Sequence, residues 1–167
     1  DGTALKLGAN AGADSADTLA LTATEIAVIT DTVTSIVFGS ASINGATTID
    51  NSGATLTINA PLTIYSDAFT FAAASDALTT DSTLTIDAEG TITDITGNDT
   101  TTDITATTFT VAASTGIGVS ASDSLNLSVD TLIVTTTSGN AFITEANAVA
   151  LGTVNVVANS LTLEAIT

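Results

Sequence analysis

The sequence predicts an all-β fold, a right-handed β-solenoid (β-helix) in which short strands stack rung upon rung along one axis. Three observations predict it. Thr is the commonest residue, about one in five, and with Val and Ile it enriches the chain in β-branched side chains that suit a pleated surface better than a helix. A short unit of alternating apolar and polar residues recurs from one end to the other. The apolar content, 44%, comes almost wholly from Ala, Val, Leu and Ile, with five Phe, one Tyr and no Trp, Met or Cys. Aromatic side chains bury the most area per residue, so a globular core this poor in them would be thin. Small aliphatic residues suit a narrow core repeated along an axis.

The recurring unit reads x-Φ-x-Φ-x-small, with Φ apolar, at residues 4–9, 18–23, 55–60, 68–73, 83–88, 108–113, 124–129, 153–158 and 160–165. Alternation over four to six positions marks a strand with one buried face. No segment sustains a 3.6-residue period, so almost no helix is expected. One anchor per unit (Leu5, Leu19, Ile36, Leu56, Phe69, Leu84, Phe109, Leu125, Phe142 and Leu161) suggests about nine or ten irregular rungs, with steps averaging about 17 residues. Between the strands lie turn signals: Asn44-Gly45, Asn51-Ser52-Gly53, Glu89-Gly90, Gly97-Asn98-Asp99 and Ser138-Gly139-Asn140. Pro61 sits between two units and cannot donate to a ladder, which suits a corner or an edge. The irregular steps leave a β-sandwich as the alternative. No composition break divides the chain, so residues 1–167 are read as a single domain.

Charge excludes several partners. Eighteen acidic residues face one basic residue, Lys6, for a formal net charge of −17. With no basic patch, nucleic acid is not a partner. No apolar run approaches the roughly 18 residues of a membrane span, so no membrane insertion is expected. Copies of the chain repel one another unless cations, salt or acid relieve the charge. The sequence starts at Asp1 with no initiator Met or leader, and it has no Cys and almost no site for trypsin-type cleavage. These features point to an extracellular or cell-surface location.

Catalysis is not expected. Without His or Cys, the usual general base, thiol nucleophile and imidazole ligand are missing. Calcium is the one cofactor the residues suggest: Asp94, Asn98, Asp99 and Asp103 cluster around a Gly-containing loop, and Ca²⁺ takes several oxygen ligands on flexible turns. Asp76, Asp81 and Asp87 form a looser group. Of two Asn-x-Ser/Thr sequons, Asn98 lies on an expected turn and is the better glycosylation candidate, ahead of Asn126. Thr-x-Thr pairs such as Thr55/Thr57, Thr83/Thr85 and Thr108/Thr110 point away from the apolar face. Stacked, they would form outward Thr ladders like those of solenoid ice-binding proteins.

Residues 115–158, notably Thr115-Gly-Ile-Gly-Val119, Leu132-Ile-Val-Thr-Thr-Thr-Ser-Gly-Asn-Ala-Phe-Ile-Thr-Glu145 and Ala150-Leu-Gly-Thr-Val154, resemble repeats of giant bacterial surface adhesins similar to filamentous haemagglutinin. The resemblance implies a right-handed β-helix, secretion, and adhesion to surface glycans or host cells; it carries no catalytic residues. The units run close to both ends of the sequence with no evident cap, and end rungs with unpaired edges invite pairing with further copies. The expected function is therefore a structural subunit of an extracellular self-assembling filament, sheath or matrix. Copies would polymerise head to tail through Leu5, Leu7, Leu161, Leu163 and Ile166. A fragment of a large secreted adhesin and a Thr-ladder ice-binding protein are the alternatives.

Overall fold

The computed structural model describes residues 2–29, 33–42, 45–94, 100–157 and 159–165. Sixteen strands and one helical turn are found among them. Every pairing between named strands is parallel, and all the strands belong to one wound sheet. Parallel neighbours need a crossover between them. Here the crossover is the rest of the coil, so the chain is a β-solenoid of about 5 turns.

Two faces define the coil. The first stacks β2 (Thr18–Leu21), β1 (Ala4–Leu7), β4 (Thr47–Ile49), β7 (Phe69–Phe71), β10 (Thr91–Asp94), β12 (Gly116–Ile117), β14 (Ala141–Glu145) and β16 (Leu161–Ala165). The second stacks β3 (Ile36–Phe38), β6 (Leu62–Ser66), β9 (Thr83–Ala88), the second half of β11 (Ile104–Ala113), the second half of β13 (Leu125–Thr136) and β15 (Ala150–Val156). A third, shorter side carries β5 (Thr55–Thr57), β8 (Ala77–Thr79), the first halves of β11 and β13, and the ends of β14 and β16, where Ile143–Glu145 pair with Leu125–Leu127 and with Leu163–Ala165. β11 and β13 each turn a corner within one strand, at Thr107 and Asp130, where two successive residues face outward and the buried phase shifts.

Successive register partners on the first face, Thr47, Phe69, Ile92, Ile117, Ala141 and Leu161, are 20 to 25 residues apart. The coils are therefore longer and fewer than the sequence suggested. Each coil carries two or three strands, all written in the same alternating unit, so counting units overcounts turns.

Alternation puts one apolar row per inward position, and rows continue from coil to coil. On the second face one row runs Ile36, Leu62, Leu84, Phe109, Leu132, Leu151 and its neighbour runs Phe38, Ile64, Ile86, Val111, Val134, Val154. The middle members of both rows are fully buried. Each side chain is covered from above and below by its equivalents, and burial at about 25 cal/mol per Å² makes this column the main stabilising term. Where the chain must turn tightly under a neighbouring coil, only Gly fits. Gly118, with φ of +66°, leaves its missing Cβ only 2.7 Å from the carbonyl oxygen of Phe142.

The first coil departs from the pattern. Between β1 and β3 the chain makes a long excursion that holds β2 and the helical turn α1 (Ala23–Ile26). β2 folds back onto the outer side of β1, register Leu5↔Leu19 and Leu7↔Leu21. α1 starts from a capping box: the Glu25 N–H donates to Thr22 Oγ1 (3.3 Å) and Thr22 N–H to Glu25 Oε2 (2.9 Å). It inserts Ile26 into the core.

Candidate assembly site

The two ends of the solenoid are where this fold departs from a closed, self-satisfied column. In the middle, each strand edge is paired on both sides and each apolar row is covered. At the first coil, Leu5 and Leu7 lie inside the core, flanked by β2 on one side and β4 on the other. This corrects the expectation that they form an uncapped polymer interface: the chain's own β2 and Ile26 shelter them. The outermost strand of the first face is β2 instead, and Leu19 on it is 42% exposed. Thr3, Leu5, Leu19, Gly39, Gly45, Thr47 and Tyr65 line a recess of about 440 Å³ at this end.

At the other end, every residue of β15 from Ala150 to Asn155 is exposed. Leu151 is 52% exposed and Val154 40%, although the same inward rows are fully buried one coil earlier. β15 pairs with β13 and β16 with β14; neither has a second named partner. Leu161 and Leu163 are half-buried against the core, and Ile166 lies outside the described residues.

Among the described residues, nine large hydrophobic side chains are exposed. Leu19, Val28, Ile29, Val33 and Val37 belong to the first coil and its excursion, and Leu151, Val154 and Val157 to the last coil. Only Val119 lies between. Their confinement to the first and last coils sets those coils apart from the flanks between them.

Charge is distributed unevenly along the axis. Fourteen of the eighteen acidic residues precede Ile104, and the last 64 residues carry only Asp123, Asp130, Glu145 and Glu164. Glu145 is fully buried, which leaves Glu164 on β16 as the exposed acid of the last coil among the described residues. The one base, Lys6, is held by Asp50 (2.9 Å) and donates to the Asn10 carbonyl (3.2 Å). That ammonium holds the Asp50 carboxyl below its ordinary range.

Of the residues read as calcium candidates, Asp103 serves as a backbone acceptor. Asp103 Oδ2 accepts the Asn126 N–H of the next coil at 2.7 Å. Asp94 is also buried, whereas Asn98 and Asp99, including the expected glycosylation point, lie outside the described residues. Among the described residues no three His, Cys, Asp or Glu side chains gather as a metal site. Asp103 belongs instead to a series of inward polar side chains at the corners. Asn51 Oδ1 accepts from Ala9 N–H (2.8 Å). Asp76 accepts from Asn51 N–H (2.9 Å), Gly53 N–H (2.8 Å) and Ala73 N–H (3.0 Å). Glu145 Oε1 accepts from Val129 N–H (3.1 Å) and Asn147 N–H (3.3 Å). These groups satisfy corner N–H groups that the ladders leave over, and most of them tie one coil to the next. Burial pushes the Glu145 carboxyl above its ordinary value, with Asp130 adding to the rise. The sequence reading missed this seam; its signal is a lone Asp, Asn or Glu within a residue or two of a strand end.

Outward Thr rows do form: Thr48, Thr70 and Thr93 on the first face, Thr83, Thr108 and Thr131 on the second, and Thr57, Thr79 and Thr105 on the third. They are shared among all three faces rather than gathered into one flat array.

No family model, no curated protein and no solved structure matches this chain.

Proposed function

We propose that this protein is a non-catalytic structural subunit of an extracellular filament, sheath or matrix, whose copies join end to end along the solenoid axis. The observation that carries the reading is the placement of exposed apolar side chains. Eight of nine lie in the first and last coils, while the flanks between them present Thr, Ser and acidic groups. Repulsion between the acidic flanks (Asp67, Asp81, Asp87 and Glu89 are all exposed) opposes side-by-side aggregation and leaves the ends as the favoured contacts. The resemblance of residues 115–158 to surface adhesin repeats supports an extracellular setting. Thr rows divided over three faces support a solvated β-surface better than they support ice binding.

Sedimentation velocity over a range of protein concentrations tests the proposal, at low and at raised ionic strength. Association that grows with concentration, and strengthens as salt screens the charge, is expected. A single monomeric boundary under all these conditions would remove the filament reading.

A further inference from the structure

We infer that the segment from Gly8 to Ile29 is an acid-released cap that withholds the edge of β1 from strands of other copies. This rests on the end-to-end reading above and says when the first coil takes part in it. The segment leaves the column at Gly8, whose φ of +124° glycine adopts readily. β2 then occupies the β1 edge, where Ala4 N–H donates to the Asp17 carbonyl (2.9 Å) and Gly8 N–H to the Leu21 carbonyl (3.0 Å). The far edge of β2 is closed in turn. Asp14 Oδ1 accepts the Ala20 N–H (2.7 Å), and Ser15 and Thr18 bond each other's backbone. Among the described residues, the first face therefore offers no open edge at this end while the cap is down.

Three carboxylates hold the cap, one at each of its parts. At its base, Asp50 accepts from Lys6 Nζ (2.9 Å) and Asn10 Nδ2 (3.0 Å), and Lys6 also donates to the Asn10 carbonyl. Asp14 holds β2 through Ala20, and Glu25 closes the capping box that starts α1. Asp14 and Glu25 are exposed and Asp50 is half-buried, whereas Asp76 and Asp103, which hold the middle, are enclosed between coils. Protons therefore reach the cap without any opening of the column. The Thr22 N–H and hydroxyl hold the Glu25 carboxyl below its ordinary value, and Lys6 does the same to Asp50. Both contributions are present above the ordinary carboxylate pKa and are lost as pH falls through the depressed values. The other titratable groups beside the cap are Lys6, the exposed Asp17, and Tyr65, which lines the recess with Leu19; Asp1 and Asp31 lie outside the described residues. The same acidification reduces the net charge of −17 that keeps copies apart.

Hydrogen exchange, corrected for the intrinsic rate at each pH, tests the release. From neutral pH to about pH 4, protection of the Gly8 and Ala20 N–H groups should fall at least about tenfold further than that of Leu5. The Leu5 N–H donates to Ala46 on the other edge of β1 (2.8 Å) and stays bonded when the cap lifts. Equal losses at all three, or none, would overturn the cap. Asp14→Ala with Glu25→Ala should release Gly8 and Ala20 already at neutral pH. A lock tests what the cap withholds. Ala4 and Thr18 are register partners, parallel partners lie about 4.8 Å apart, within disulfide reach, and the chain has no Cys of its own. Oxidised Ala4→Cys/Thr18→Cys protein should lose the acid-enhanced association seen by sedimentation, and a reductant should restore it at the same net charge. Acid association undiminished by the lock would overturn the withholding and leave end-to-end association standing. Monomers in every state, with Gly8 and Ala20 still released by acid, would remove the end-to-end reading and leave the acid release standing.

Discussion

The first and last coils of this solenoid are built from the same alternating unit, yet they end up in opposite states. At the first, Leu7 and Ile26 are buried and Ile36 and Phe38 half-buried, because the excursion between β1 and β3 returns to cover the column with β2 and α1. At the last, Leu151 and Val154 continue the rows of Ile36 and Phe38, across a register shift between them, but are exposed to solvent. Identical local patterning therefore does not set burial. A rung is buried by what lies above it, and in a stacked fold that depends on the neighbouring coil.

Substitutions that separate middle, capped and open rungs sharpen this comparison. The largest effect is expected in the middle. Phe109→Ala removes a fully buried ring from the centre of a row and should cost about 3–5 kcal/mol in denaturant unfolding. Leu151→Ala, in the same row two coils on, should stay within about 0.5 kcal/mol in the isolated protein. Equal losses at the two positions would contradict the distinction.

Asp76→Ala comes next. It strips acceptors from three N–H groups at a buried corner, and a loss of about 3 kcal/mol or more is expected. Ile26→Ala should then open the capped end at about 2–4 kcal/mol. Hydrogen exchange should show the added opening concentrated in β1 to β3 rather than in β13 to β16.

Two smaller effects depend on pH, with opposite signs. Glu145 has a carboxyl raised by burial, so its contribution is fully present below the ordinary Glu pKa and is lost as pH rises through the raised value. Glu145→Gln keeps an acceptor for Val129 and Asn147 and removes the charge. It should raise Tm at neutral pH and flatten the dependence between mildly acidic and neutral conditions. Asp50 is lowered by Lys6, so its contribution is present at neutral pH and is lost as pH falls through the depressed value. Because this pair is partly exposed, Lys6→Gln should cost only about 0.2–1 kcal/mol at low salt, and less as salt is added. Monitoring Tm against pH for both variants distinguishes the two signs.

Much of the fold was legible in the sequence. The units at residues 4–9, 83–88, 108–113 and 160–165 all became strands, with their apolar members inward. The number of coils was not legible, because a unit states that it has one buried face and not which side of the coil it occupies. Phe69 and Leu84 look like successive rungs and prove to be two faces of one coil. The shelter over Leu5 and Leu7 escaped for a related reason. Residues 18–23 read as another rung, and nothing in their pattern says that they double back. Thr22-Ala-Thr-Glu25 was a visible helix start between two strand units, the one local sign of an excursion. Asp76 and Asp103 were noticed as acids at turns. What they hold became clear only once neighbouring coils placed N–H groups opposite them.

The end-to-end account fixes a length that can be measured directly. Eight strands from β2 to β16 stack along the first face, and with strands spaced about 4.8 Å apart each copy should add an axial repeat of about 38 Å. Fibre diffraction or electron microscopy of assembled material should show this axial repeat together with the 4.8 Å spacing, in filaments of no fixed length. Particles that never exceed two molecules in length, or single rods at every concentration, would contradict it.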